Sequence, residues 1–504
     1  MDKKRGMLNI GVSVGVKVLL LIGSVLVRRF LIRYLGSEIN GLNSLYINII
    51  GFIAVAELGV GSAIVFCMYK PIVDGDETKV TALYRLIEKL YRIIGAFILA
   101  AGLCVTPFLP RLAKDCSVPR PQMYTTFIIM LVSVVLTYMY SAKVSLLEAY
   151  KNNYIATGIM GTSMFFQYGL QIVAVLVFRT FHAYLLCRVI AMLIQWLLLE
   201  IYCRRKYSHI IKPHAKVDKE TAGYVSANIK AMFMHKIGNV MVNTAGSIII
   251  SAFIGVVELG KHSNYTIIMT SMIGILNLFF TPLTSIIGHL YAKEDAVGIR
   301  KYFNFFHGFN FVLATVFFLG YYAIIDNLIT VVFAPGLELL RIISFVITYS
   351  YFIQFMRNAT VLFRDATGTF YKDRWKAPIE GAVNIILSIV FVLIFPEGYK
   401  ELGVIAAAII TNLLICHIVE PLVLYKYALK ASPAGYYVRN YVLIAVFGGL
   451  LFLMDKIMVN MGNRYLEILV NGCIAVGVGL AVFVATTLLD KDFRYYFKRL
   501  LKRA

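Results

Sequence analysis

Apolar stretches of about 20 residues recur along the whole chain, separated by short polar segments. A hydrocarbon layer about 30 Å thick requires that length of a helix rising 1.5 Å per residue. The pattern predicts fourteen helices, the first seven over 8–32, 42–68, 88–109, 124–147, 154–178, 182–202 and 230–254. The second seven fall at 264–290, 303–325, 339–362, 377–395, 402–425, 438–459 and 466–489. Asp455 and Lys456 shorten the thirteenth, so twelve spans is the competing count; either number leaves both termini on one side.

Polar positions inside the apolar pattern repeat. Gly36-x4-Gly41-x2-Ser44-x-Tyr46 returns after 219 residues as Gly255-x4-Gly260-x2-Ser263-x-Tyr265. The same shift carries Lys17 onto Lys236 and Ser24 onto Asn243. The longest cytoplasmic loop, 203–222, falls after six helices, where the shift also requires a break. The expected fold is an all-α polytopic membrane protein of two pseudo-symmetric six-helix bundles plus a C-terminal helix pair. Its expected divisions are a bundle over 1–205, a cytoplasmic linker over 206–222, a bundle over 223–430 and the extra pair with a basic tail over 431–504. Such repeats place binding sites between halves in many transporter folds.

Composition supports the membrane reading: 60% of residues are hydrophobic, only 15% are charged, and the mean hydropathy is +0.77. The 49 Lys+Arg against 27 Asp+Glu lie mainly in loops. One alternating set of loops, including both termini, holds 31 of the basic residues and the opposite set about 12. The positive-inside rule makes the first set cytoplasmic. Topology thus accounts for the basic charge, and nucleic acid is not an expected partner. No loop exceeds roughly 25 residues, which leaves no room for a soluble catalytic domain, and no Walker A motif is present. The seven cysteines include no CxxC, and most lie in apolar segments. No catalytic residue, metal site or cofactor is expected. The first apolar run exceeds a signal-peptide core and reads as a retained span.

Charges inside spans carry the functional content, because each costs about 2.5–3.5 kcal/mol near a helix centre on insertion scales and calls for a cavity or a partner. Lys17 shares a helical stripe with Ser13, Ser24 and Arg28, and Lys236 leads a stripe with Asn239, Asn243 and Ser247. Both lysines have a snorkelling alternative. Lys17 has a second one, an ion pair with Glu57 at comparable depth; position 276, which matches Glu57 under the shift, is leucine. Lys236 is therefore the better anion contact. Arg28, Arg29 and Arg33 anchor headgroups or line a cavity mouth. Arg188 and Arg357 are expected to snorkel, and Lys143, Glu380 and Glu420 to sit at a solvated boundary. The histidines at 235, 289, 307 and 417 do not cluster in the sequence.

The stretch Tyr34-Leu-Gly-Ser-Glu-Ile-Asn-Gly-Leu-Asn-Ser-Leu-Tyr46 resembles the first loop of Wzx-type polysaccharide flippases of the multidrug/oligosaccharidyl-lipid/polysaccharide exporter superfamily. Ala56-Glu-Leu-Gly-Val-Gly-Ser-Ala-Ile64, Met68-Tyr-Lys-Pro71, Lys236-Ile-Gly238 and Ser263-Asn-Tyr265 continue the resemblance. Pro378-Ile-Glu380, Glu420-Pro421 and Leu424-Tyr-Lys426 complete it, in order over about residues 10–430. It implies a flippase that moves an undecaprenyl-pyrophosphate-linked oligosaccharide from the inner to the outer leaflet of a bacterial cytoplasmic membrane. It also implies a V-shaped cationic cavity, with membrane lipids, a polymerase and glycosyltransferases as partners. Lys17, Arg28, Lys236, Asn239, Asn243 and Glu57 are the cavity candidates; Gln167, Gln171 and Asn384 would add polar walls for sugar. One departure is Asn243-Thr-Ala-Gly-Ser247, which lacks the acidic residue of many relatives and puts ion coupling in question. A multidrug or cation antiporter using Glu57 and a non-transporting scaffold for glycan assembly are the alternatives.

Overall fold

A computed structural model describes residues 2–57, 60–213, 240–242, 244–280 and 283–501, with isolated positions 215, 217, 223, 225, 226 and 229. Every regular element among them is helical, and nine of these helices are long and apolar enough to cross a membrane. The chain is a multi-pass membrane protein. It divides into two compact units, Met1–Ser263 and Asn264–Ala504.

The first unit contains α1 (Asp2–Leu35), α2 (Ser37–Ile53), α3 (Val60–Asp74), α4 (Glu77–Val105), α5 (Arg120–Ala149), α6 (Asn153–Val177) and α7 (Phe181–Lys206). Helix α1 runs along α6, both α5 and α6 pack on α7, and α4 packs on α5. Side chains placed after turns start these helices. Asp76 accepts from Lys79 N at 3.0 Å and Thr180 from Ala183 N at 3.4 Å, satisfying donors that have no partner inside the helix. The predicted second span is not one helix: after α2 the backbone tightens into a 3₁₀ turn, Ala54–Glu57, before α3 begins. That turn, and not a helix interior, carries Glu57.

A next helix, α8 (Val256–Phe280), starts in the first unit and continues into the second. The second unit holds α9 (Leu283–Lys293), α10 (Ala296–Val332), α11 (Arg341–Met356), α12 (Asn358–Ala366), α13 (Lys376–Ile394) and α14 (Lys400–Leu429). It closes with α15 (Ala434–Ile457), α16 (Arg464–Leu489) and α17 (Lys491–Leu501). Pro421 cannot donate inside α14, and π-turns at Asn412–Cys416 and Tyr425–Leu429 flank it, the usual way a long helix absorbs a proline. The thirteenth span is present despite its charges. Asp455, in the last turns of α15, accepts from Tyr322 Oη at 2.8 Å and from Arg341 Nε at 3.0 Å, while Arg341 Nη1 also meets Asp326 at 2.6 Å. Helix α16 packs along α10.

The boundary charges of this unit are not solvated, as the sequence suggested, but paired with one another. Arg357 meets Glu420 through Nη2 at 2.7 Å and Nε at 3.1 Å, and Asn412 Oδ1 through Nη1 at 2.8 Å. Lys376 Nζ lies 2.7 Å from Glu420 and 3.0 Å from Glu380, and Arg364 lies 2.9 Å from Asp373. Convergence of α11 to α14 brings cations and carboxylates together faster than either reaches water. Arg357 therefore does not snorkel. In a buried pair, losing one partner strands the other charge. Arg357→Ala is expected to destabilise the protein by about 3–5 kcal/mol in detergent thermal unfolding. Arg464→Ala, which breaks a more exposed pair with Glu338, should cost less than about 1 kcal/mol.

Candidate functional site

The repeated glycine motif forms a backbone junction inside the first unit. Gly36, at φ 92°, ends α1, and Gly255, at φ 154°, ends the π-turn Ile250–Ile254. These conformations lie in the positive-φ region that favours glycine. Each glycine is followed at once by a helix, α2 or α8. The first turns of those two helices meet at the second glycine of each motif. A Cβ on Gly41 would stand 1.9 Å from the Val256 carbonyl oxygen, and one on Gly260 would stand 2.9 Å from that of Ser37. Only glycine permits such an approach, the small-residue contact that membrane helices use to bring backbones together.

Close backbones bring the repeat-related serines together, with Ser44 Oγ 2.9 Å from Ser263 Oγ. Arg28, about two turns before the end of α1, fills the space beside them. Its Nη2 donates to Ser44 Oγ at 2.8 Å and Ser263 Oγ at 2.7 Å, Nη1 to Ser263 O at 2.7 Å, and Nε to Asn40 Oδ1 at 2.7 Å. Asn40 Nδ2 in turn donates to Gly260 O at 3.2 Å. The guanidinium is 9% exposed, and no carboxylate among the described residues touches it. Neutral oxygen dipoles alone hold the charge.

Further contacts fix the junction. Lys114 Nζ donates to Phe253 O at 3.0 Å, and Val256 N donates to Lys114 O at 3.1 Å, so the 113–117 loop straps the end of the π-turn. Glu38 receives both Ser117 N and Ser117 Oγ. Tyr46, fully buried, donates to Met123 O at 2.7 Å. Its repeat mate Tyr265 donates to Asp326 Oδ1 at 2.7 Å within the second unit. The two tyrosines do equivalent work, each tying the helix that follows a motif glycine to a neighbour.

The other candidates fall elsewhere. Lys17 is in α1, and its side chain lies outside the described residues, as do Lys236, Asn239 and Asn243. Glu57 accepts from Tyr138 Oη at 2.7 Å. Lys143, read as boundary-solvated, is buried and pairs with Glu200 at 2.7 Å. Gln167 and Gln171 are buried neighbours on α6, and Asn384 is buried in α13. Arg188, read as a snorkelling side chain, faces Tyr140, Tyr168 and Tyr184 within the bundle. Sequence spacing also hid a histidine bridge. His307 Nε2 lies 3.1 Å from Asn440 Oδ1, and Asn440 Nδ2 lies 2.9 Å from His417 Nδ1. His417 Nε2 reaches Ile353 O at 3.0 Å, so neutral rings protonated at Nε2 satisfy these contacts. No signal in the sequence joins residues so far apart.

Chemically, the junction stores a positive charge on acceptors of which separation of α2 from α8 would remove those of Ser263. Two substitutions test it. Gly41→Ala is expected to lower stability by about 1–3 kcal/mol, through overpacking against backbone, in detergent thermal unfolding. Arg28→Lys, which cannot reproduce the planar fork, should release the junction. A maleimide probe at Ser44→Cys, in a background free of the seven native cysteines, would then react faster than with Arg28 present.

No protein-family model and no curated protein matches the chain. Solved structures do. One described as lipid II flippase MurJ in an inward closed conformation superimposes with a TM-score of 0.65 at 13% identity, covering 96% of this chain and 100% of that one. An inward-facing multidrug resistance MATE family transporter of the MOP superfamily gives 0.58 at 11% identity, covering 87% and 98%. The Vibrio cholerae MATE transporter VcmN gives 0.57 at 13%, covering 84% and 98%. A multi-pass chain, helical throughout its described residues and carrying a repeated helix-junction motif, shares the fold of these solved structures, with about fourteen transmembrane helices.

Proposed function

We propose that the protein is a flippase that moves a polyprenyl-pyrophosphate-linked oligosaccharide from the inner to the outer leaflet of a bacterial cytoplasmic membrane by alternating access. Both termini are cytoplasmic in this reading, which places the Gly41–Gly260 junction at the outer end. The observation that carries the reading is Arg28, a cation inside the first unit neutralised by dipoles alone. A pyrophosphate crossing hydrocarbon needs fixed cations, and a guanidinium binds phosphate in bidentate, charge-assisted fashion. Taking a two-state equilibrium from 1:99 to 99:1 needs about 5.5 kcal/mol of differential binding. Only the excess of the phosphate contacts over the four neutral-oxygen bonds they replace counts toward that energy. Exchange of Ser44, Ser263 and Asn40 for a phosphate would thus couple substrate arrival to outer opening. Similarity to the MurJ structure over 96% of the chain, against 84–87% for the MATE transporters, supports a lipid substrate and a role for α15 and α16. Polymerase and glycosyltransferases of a glycan pathway are the expected partners.

A multidrug antiporter is the second reading, favoured by the MATE superpositions and by Glu57, whose carboxylate is held by the Tyr138 hydroxyl. Drug efflux from a sensitive host, abolished by Glu57→Gln, would establish it.

In a strain lacking the protein, lipid-linked oligosaccharide should accumulate on the inner leaflet, where lectin labelling of inside-out vesicles detects it. Unchanged outer-leaflet glycan would overturn the flippase. Lys236→Ala is expected to abolish export while the protein stays in the membrane. Full export by Lys17→Ala/Lys236→Ala would remove both lysines from the mechanism. Oxidative cross-linking of Ser44→Cys to Ser263→Cys should stop export, and reduction should restore it.

A further inference from the structure

Arg188 takes no part in any of the pairings above. It lies in α7, seven residues in from Phe181, about 10 Å along the helix. Among the described residues it makes no hydrogen bond or ion pair and stacks on no ring. The groups it interacts with electrostatically are uncharged tyrosines, Tyr140 from α5, Tyr168 from α6 and Tyr184 from α7. Tyr184 also interacts electrostatically with Arg28.

The helix beside it is equally unsatisfied. Gln171 Nε2 donates to Tyr184 O at 3.2 Å, which sets the register of the antiparallel pair α6 and α7. With equal rise on both helices, that register puts Gln167 level with Arg188 and Ser163 one turn further in. Gln167 Nε2 donates to Gln171, leaving Gln167 Oε1 without a partner. Ser163 Oγ is unpartnered too, as is Gln195 Nε2, two turns beyond Arg188 on its own helix. All three side chains are at most 6% exposed. Buried polar groups are normally paired, so a half-buried cation beside helix turns that carry unmet buried donors and acceptors marks a place built for a ligand.

We propose that Arg188, with Gln167, Ser163, Gln195 and the surrounding tyrosine hydroxyls, forms an anion pocket inside the first unit that holds the phosphate or pyrophosphate ester of the substrate, the amides and hydroxyls receiving its first sugar. The proposal rests on the flippase reading and deepens it: Arg188 takes the anion first, and Arg28 receives it when the junction opens.

The test uses full-length protein in nanodiscs with farnesyl pyrophosphate as the probe. Arg188→Met, which keeps the length of the side chain and removes its charge, should weaken binding roughly ten- to a hundred-fold, the worth of lost charge-assisted hydrogen bonds. Its thermal midpoint should stay level or rise, because an unpaired cation in a span is costly to keep. Arg188→Lys should fall between the two in affinity. Unchanged binding by Arg188→Met, no binding by the wild type, or a parallel loss of stability and binding would each overturn the pocket. The deletion strain answers separately for the flippase. Export lost on deletion with Arg188→Met binding as wild type sinks the pocket alone. Binding lost in Arg188→Met with glycan export intact on deletion keeps the anion pocket and sinks the flippase.

Discussion

A guanidinium held by neutral oxygens, where two helix starts touch backbone to backbone, is the constraint on which the first unit depends. Gly41 and Gly260 allow the approach, and the approach sets Ser44 against Ser263. Arg28 then finds four acceptors without needing a carboxylate. A larger residue at either glycine would push the serines apart and strand the charge. Satisfied by dipoles and not neutralised by a counter-ion, the arginine is stable while the junction is shut, and in the proposed flippase it would be available to an anion when the junction parts. A carboxylate in the same place would hold the charge in both states and remove its use.

The two units treat charge differently. In the second, Arg357, Arg364 and Lys376 face Glu380, Glu420 and Asp373 in a closed set of pairs, which holds α11 to α14 together. In the first, Lys143 pairs with Glu200, but Arg28 and Arg188 have no acidic partner among the described residues, and polar groups on α6 and α7 remain unmet. Buried pairs resist separation because each partner would be left uncompensated. Unpaired cations invite a ligand. The repeat preserves the junction's geometry without repeating its charge: the position matching Arg28 under the 219-residue shift is Ser247.

Much of this was legible before any coordinates. Glycine motifs recur at matching places after a first helix, and Gly36 and Gly255 are turns, because only glycine adopts their φ cheaply. The thirteenth and fourteenth helices were expected from hydropathy and are present. Less legible was anything that depended on which charges meet. Arg357 and Glu380 read as boundary residues because a single chain shows depth and not neighbours. Glu57 read as helical because hydropathy runs smoothly through a 3₁₀ turn. Arg188 read as snorkelling because its three tyrosines come from three helices. His307 and His417 meet through Asn440, more than a hundred residues from the first of them, and nothing local announces that.

The sequence by itself determined the class of the protein. Uncharged runs of bilayer length, basic residues concentrated on alternate loops and a repeat offset by 219 residues dictate a multi-pass helical bundle, since hydrocarbon tolerates no other arrangement of so much apolar chain. It also determined that cations stand inside the spans. Only the tertiary structure decided which of those cations are spent in ion pairs, which is lodged on neutral oxygens and which is left unpartnered. That decision depends on the meeting of side chains from separate helices, and the energy of a charge in a membrane is set by what it meets.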